Sequence, residues 1–472
     1  MVRYEREKVK DAEHAGLQRR IGLFSATVIV IANMVGTGIF TTSGYMMQEM
    51  GRPMGIFLAW AAAGLLALSG ALCYGELGAM YPRAGGEYAF LKESFGPFPA
   101  FLSGWVSLIV GFSAPIAAAS VAFASYAFHA LGPLKDGFPD RFSLWLPFLT
   151  FSPVTVIAIC VILCLTGVHY HSLSFGKWVQ GVLTGFKVGL MVVIILAAMI
   201  YGEVPRKALF HLSGGWGLVF TQGFAISLIY ASFAYSGWNS SAYMGAEIKN
   251  PGRIIPFSLL FGTAAVVVLY LFMNLAYVMV LRPAEMSGVL EVAGAAAVRI
   301  FGTPVSRAVN GCIALSILSV ISVMIMTGPR VYFAMARDGL FFRKFGLVSE
   351  RGRTPGYAIL LQSGIATFMV LTASFEVLLV YVGFTLGIFT ALTVVGLVIL
   401  RRRVPNHARP YKTFGYPLTP AVFVCGNLWI AGVSIITRPV VSLFGLGTIM
   451  AGLLVYRWFA SKPGGPAGVE NP

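Results

Sequence analysis

Charge is what this sequence has least of. Asp, Glu, Lys and Arg make up 11% of its 472 residues, less than half of the roughly 25% usual in soluble domains. A soluble fold of this length would lack charged surface, so the chain reads as an integral membrane protein. Acidic residues are scarcer than basic ones, 18 against 34, and the formal charge is +16. That balance would suit nucleic acid, but the placement of the positive residues follows membrane topology instead. Cysteine is sparse too. All five (Cys73, Cys160, Cys164, Cys312 and Cys425) fall inside apolar runs, and residues 131–151 hold none. Cys160 and Cys164 share a helix face without partner ligands, which reads them as small core residues rather than a metal site.

Apolar residues fill what charge leaves. They make up 57% of the chain, and mean hydropathy is +0.80. Twelve runs reach spanning length: 21–47, 54–80, 97–130, 152–169, 178–201, 217–245, 255–281, 305–336, 355–372, 376–400, 417–436 and 440–460. An even number places both termini on one side. With the N-terminus inside, inner segments carry more than twice the Lys and Arg of outer ones, with five each in 337–354 and 401–416. The positive-inside rule therefore predicts N-in and C-in. Residues 1–20 mix both signs of charge ahead of a long first run, which suits a retained cytoplasmic tail. The Gly/Pro-rich 461–472 predicts a flexible second tail. Residues 82–95 are amphipathic and suit a short interfacial helix. The basic 401–412 stretch suits a topology anchor or a contact with anionic lipid.

Two runs are interrupted near their middles. In the first, Gly36-Thr37-Gly38 sets two glycines inside a span, where each costs roughly 1 kcal/mol against alanine. Small residues also serve helix packing, so this stretch alone fits either reading. The sixth run repeats the interruption at Phe233-Ala234-Tyr235-Ser236-Gly237-Trp238-Asn239. Broken helices survive in lipid only where protein or a cavity surrounds them. Two of them, each opening a five-helix unit, point to a midplane site in an inverted-repeat transporter. A half-helix N-terminus after Gly38 would offer N–H groups to a carboxylate. Unwound carbonyls at Phe233 to Tyr235 would accept from an ammonium. An α-amino acid supplies both groups.

These residues also resemble a known family. Gly36-Thr37-Gly38-Ile39-Phe40 is similar to the G-S/T-G-I-F signature of the amino acid–polyamine–organocation (APC) superfamily, especially its L-type amino acid transporter branch. Phe233 to Asn239 with Glu247-Ile248-Lys249-Asn250-Pro251, Tyr74-Gly75-Glu76-Leu77 with Pro82 to Tyr88, and Leu400 to Arg403 with Arg409-Pro410-Tyr411-Lys412 resemble further stretches of that branch, in order. The resemblance implies a LeuT-like, all-α polytopic fold of twelve helices. Repeats would run over 21–201 and 217–402, with two extra helices over 415–460. It implies a carrier that works by alternating access, with Gly36, Thr37, Gly38, Ile39, Phe233, Ala234, Tyr235, Ser236, Trp238 and Asn239 at the substrate. Phe233 would close over the bound amino acid. Ser236 departs from the family's usual glycine, and its extra atoms would either intrude on the substrate's side-chain space or bond a polar substrate. Gly387 stands where some carriers of large substrates have tryptophan, leaving a pocket either roomier or filled by Phe384 or Phe389.

Lys187 lies midway along the fifth run, where a lysine costs about 2.5–3.5 kcal/mol and calls for a partner. In the resemblance its ammonium occupies the sodium-site region of sodium-coupled relatives and links the first break to span eight, with Ser319 and Ser322 as partners. Sodium-independent exchange or permease activity follows, with proton-coupled symport as an alternative. No acidic residue falls near either break in sequence, which favours neutral amino acids over amines or polyamines. Glu76, Glu247 and Asp338 suit gate pairs with Arg83, Arg253 or Arg337. Branch members that join a heavy subunit do so through a cysteine between spans three and four, and the cysteine-free 131–151 predicts no such disulfide partner. No cofactor is implied. His169 and His171 read as an interfacial pair, and His129 and His211 lie near outer ends. The spans hold no nucleophile–base constellation, so an enzyme is disfavoured. A channel is disfavoured by the lack of a filter-like loop or charge ring.

Overall fold

A computed structural model of the chain describes residues 19–131, 149, 151–171, 174–202, 215–348 and 354–460. Most of the two predicted tails, most of 131–151, and His211 lie outside the described residues. Ten helices are long and apolar enough to cross a membrane, and two shorter apolar helices, Gln222–Ala234 and Gly356–Thr372, fall on the sixth and ninth predicted runs.

The first run is two helices, α1 (Leu23–Met34) and α2 (Thr37–Met50). Next come α3 (Pro53–Met80), α4 (Glu87–Phe95), α5 (Pro97–Ala130), α6 (Pro153–His171) and α7 (Ser174–Tyr201). The sixth run is α8 (Gln222–Ala234) and a one-turn α9 (Ser240–Tyr243). The chain continues through α10 (Pro251–Val280), α11 (Val292–Thr327), α12 (Pro329–Arg337), α13 (Gly356–Thr372), α14 (Phe375–Arg403), α15 (Leu418–Thr437) and α16 (Pro439–Ala460). Proline opens many of them because the N–H it lacks would have no intrahelical acceptor there.

α10 packs on both α3 and α1, α8 on α2, and α11 on α5 and α7, so the two interrupted spans are enclosed by unbroken ones. Apolar side chains such as Phe24, Phe220, Ile436 and Phe444 cover the outer surface, as expected for helices whose solvent is lipid. Cys160 and Cys164, expected as small core residues, face outward, as does Cys425, while Cys73 is buried.

Two local features differ from expectation. Residues Ser107–Ser113 of α5 form a π-helical turn, a geometry frequent at functional sites. α4 is a helix, but Glu87, Tyr88, Ala89, Phe90, Leu91 and Ser94 are buried, so it is wedged into the molecule rather than laid on an interface. Its amphipathic pattern serves a protein groove formed with α5 and α14.

Candidate functional site

The first break lies at Val35-Gly36, and the helix resumes at Thr37 with Gly36 as N-cap (φ −123°, ψ −148°). The half-helix N-terminus therefore starts two residues earlier than expected, and the four N–H groups of Thr37 to Phe40 are those a helix start leaves over. Gly38 has a different task. A Cβ there would collide with Cα and Cβ of Ala234, so the two interrupted spans touch at this glycine. They touch again at Gly237 (φ +94°), where a Cβ would meet the amide and backbone of Asn33. Positive φ and close approach both require glycine at 237.

Unwound carbonyls need donors. Lys187 is fully buried, and its ammonium donates to the carbonyls of Ala32 (2.6 Å) and Val35 (2.7 Å), with Ser319 Oγ at 3.4 Å. A second donor comes from α10: the Tyr270 hydroxyl lies 2.6 Å from the Met34 carbonyl and 3.3 Å from that of Ala234, one proton shared by both breaks. Ser322 is not a lysine partner. It lies 2.8 Å from His169 Nε2, and this histidine, in the last turn of α6, is buried against α11.

Beside the breaks lies a cavity of about 110 Å³, against roughly 10–15 Å³ for one water. Phe233, Tyr235, Ser236, Gly237, Trp238 and Asn239 line it, as expected of the sixth span. Gly36, Thr37, Gly38, Ile39 and Ala234 do not, because the Gly38–Ala234 contact shuts that region off. The first span contributes Asn33 instead, whose Oδ1 is buried without a hydrogen-bond partner among the described residues. At the far wall Gly383 and Gly387 leave space facing Asn427, and neither Phe384 nor Phe389 enters it. The π-helical turn adds Ser107, Gly111 and Phe112.

One wall residue overturns an expectation. Glu87, distant in sequence from both breaks, lines the cavity at 3% exposure. Its carboxylate accepts from Asn239 Nδ2 (2.7 Å), Tyr74 hydroxyl (2.9 Å) and Tyr243 hydroxyl (2.6 Å). Burial pushes the carboxyl above the ordinary range, partly offset by the hydrogen bonds from Tyr243, Tyr74 and Asn239. The only sequence signal was an acid directly after Gly85-Gly86, in a segment that reads as surface.

The acids expected at gates have other partners. Glu76 is held by Arg401 (2.9 and 2.6 Å), Arg409 (3.4 Å) and both the backbone and hydroxyl of Thr413 (2.7 and 2.8 Å). Glu247 pairs with Arg330 (3.3 Å), and its carbonyl accepts from the backbones of Arg20 and Ile21. Asp338 pairs with Lys92 (2.7 Å), and Arg83 pairs with Glu93. At the opposite end of the molecule Arg438 joins Glu49 (3.1 Å) to Glu376 (2.9 Å), with Tyr230 donating to Glu376. The cavity thus lies between two tied ends. Among the described residues no His/Cys/Asp/Glu group could hold a metal ion.

The chain's relatives are consistent with this arrangement. It is 30% identical over 447 residues to b(0,+)-type amino acid transporter 1 of Mus musculus, covering 94% of this chain and 88% of that protein. It is 29% identical over 453 residues to Large neutral amino acids transporter small subunit 2 of Homo sapiens, covering 93% and 80%. The amino acid permease profile matches residues 21–450. Two broken spans beside a cavity are what such a permease would need, and the chain belongs to the amino acid permease family.

Proposed function

We propose that the protein is a sodium-independent carrier of neutral L-amino acids, exchanging them across a bacterial cytoplasmic membrane by alternating access. The observation that carries this reading is the meeting of two interrupted spans beside a cavity, with Lys187 bound to the carbonyls of the first break. A fixed ammonium there occupies acceptors that a cation would otherwise use. Phe233, Ser236, Trp238 and Asn239 form the substrate wall. The N–H groups from Thr37 onward form a carboxylate cradle that joins the cavity when Gly38 and Ala234 part. The chain works in N-in, C-in orientation through repeats 21–201 and 217–402. It needs no disulfide-linked heavy subunit, because 131–151 offers no cysteine.

The test is counterflow in proteoliposomes holding only the purified chain. Preloaded neutral amino acid should accelerate uptake of labelled amino acid with saturation, equally in sodium and choline buffers. A strict sodium requirement would sink the lysine argument, and unsaturable flux without trans-stimulation would favour a channel. Phe233→Ala should weaken uptake about tenfold, the scale of one lost aromatic contact.

Amine exchange gains one observation, the Glu87 carboxylate in the cavity wall. Three protein donors already answer that carboxylate, which makes it an acceptor for the protein's own groups. Putrescine and agmatine belong in the counterflow panel, and exchange of these in preference to neutral amino acids would overturn the proposal.

A further inference from the structure

Glu87 lies on α4, outside both interrupted spans. Yet it contacts three separate elements. Tyr74 comes from α3, Asn239 from the end of the second break, and Tyr243 from α9. The backbone is stitched at the same place. Ala84 forms an antiparallel bridge with Met244, and the Gly85 N–H donates to the Tyr243 carbonyl at 3.4 Å. Gly86 (φ +52°) leaves room for the Tyr243 ring, which a Cβ would strike.

An ionised carboxylate only accepts hydrogen bonds, so it decides which end of a neighbouring amide it meets. Asn239 must turn its Nδ2 toward Glu87, and its acceptor oxygen is the end left for anything else. Asn239 lines the cavity beside Trp238 and Ser236. Across the breaks, the buried Asn33 Oδ1 has no hydrogen-bond partner among the described residues. The wall is therefore biased toward acceptors, which suits an α-ammonium.

We propose that Glu87 is a positioning residue of the transport site: it fixes the Asn239 amide so that its oxygen serves the substrate ammonium, and pins the short α9 half of the sixth span. The inference rests on the carrier reading above. It assigns to α4, a helix between spans, control over substrate affinity.

The test measures KM and maximal rate for labelled alanine and leucine exchange by the purified full chain in proteoliposomes. Glu87→Gln lets the Asn239 amide face either way and should raise KM about tenfold, with maximal rate changed less than about threefold. Asn239→Asp sets two carboxylates against each other and should abolish exchange. The double variant Glu87→Gln/Asn239→Asp reverses the donor and acceptor, keeps an acceptor oxygen at 239, and should return KM to within about threefold of wild type. That rescue is something a packing role cannot give. An unchanged KM in Glu87→Gln overturns the proposal, as does a double variant no better than Asn239→Asp alone. If Glu87→Gln fails to fold, the two Asn239→Asp variants still decide. Wild type without exchange of any amino acid would instead refute the carrier reading.

Discussion

Lys187 is the residue whose removal should be felt most. Methionine matches its length but donates nothing, leaving the Ala32 and Val35 carbonyls with desolvation costs of about 1–3 kcal/mol each. Lys187→Met should therefore remain folded but lose counterflow at least tenfold or so. The neighbouring serines separate by geometry. Ser319 lies near the ammonium and Ser322 faces His169, so Ser319→Ala should slow exchange by about threefold while Ser322→Ala should not. Equal effects in the two serine variants would contradict the assignment. At Gly38 a methyl group would collide with Ala234, and overpacking of that kind costs about 1–3 kcal/mol. Gly38→Ala should lower the thermal midpoint and transport together.

Among the elements, the two ends of the molecule are tied in different ways. Glu76 is fully buried on α3 and binds the end of α14 through Arg401 and the segment that follows it through Arg409 and Thr413. Breaking such a buried group costs about 3–5 kcal/mol. Glu76→Gln should therefore cost thermal stability while KM stays unchanged, the behaviour of an anchor. A selective KM effect would return it to the gate. Arg438 is different, since it is about one-third exposed and clamps the end of α2 to the start of α14. Exposed pairs are worth about 0–1 kcal/mol each, weak enough to break in every cycle. In a chain freed of its five cysteines, Arg438→Gln should raise labelling of a Tyr45→Cys probe by membrane-impermeant maleimide. Unaltered labelling would exclude a closing role.

On the scale of the whole molecule, amino acid permeases share the LeuT-like polytopic fold, and the described residues of this chain include ten helices long and apolar enough to cross a membrane and two shorter apolar ones. Orientation is open to direct measurement. In the same cysteine-free background, Lys412→Cys should react only from the cytoplasmic side and Arg52→Cys only from outside. The reverse pattern would invert the topology and exchange the roles of the two tied ends.

Helical class was legible because lipid demands long apolar runs, and the break residues because glycine in such runs is costly. Lys187 was legible for the same reason, as a charge at a depth where it must have a partner. The pairing of those residues was not legible. That Gly36 breaks a helix while Gly38 packs on Ala234 depends on which backbone lies opposite each, a question of distance rather than composition. Glu87 was hidden because its segment reads as amphipathic surface, and only packing against α5 and α14 buries it beside Asn239. Local pattern determines what must be buried in lipid or bent. Tertiary contact alone decides which buried polar group answers which, because hydrogen-bond partners are chosen over ångströms and not along the chain.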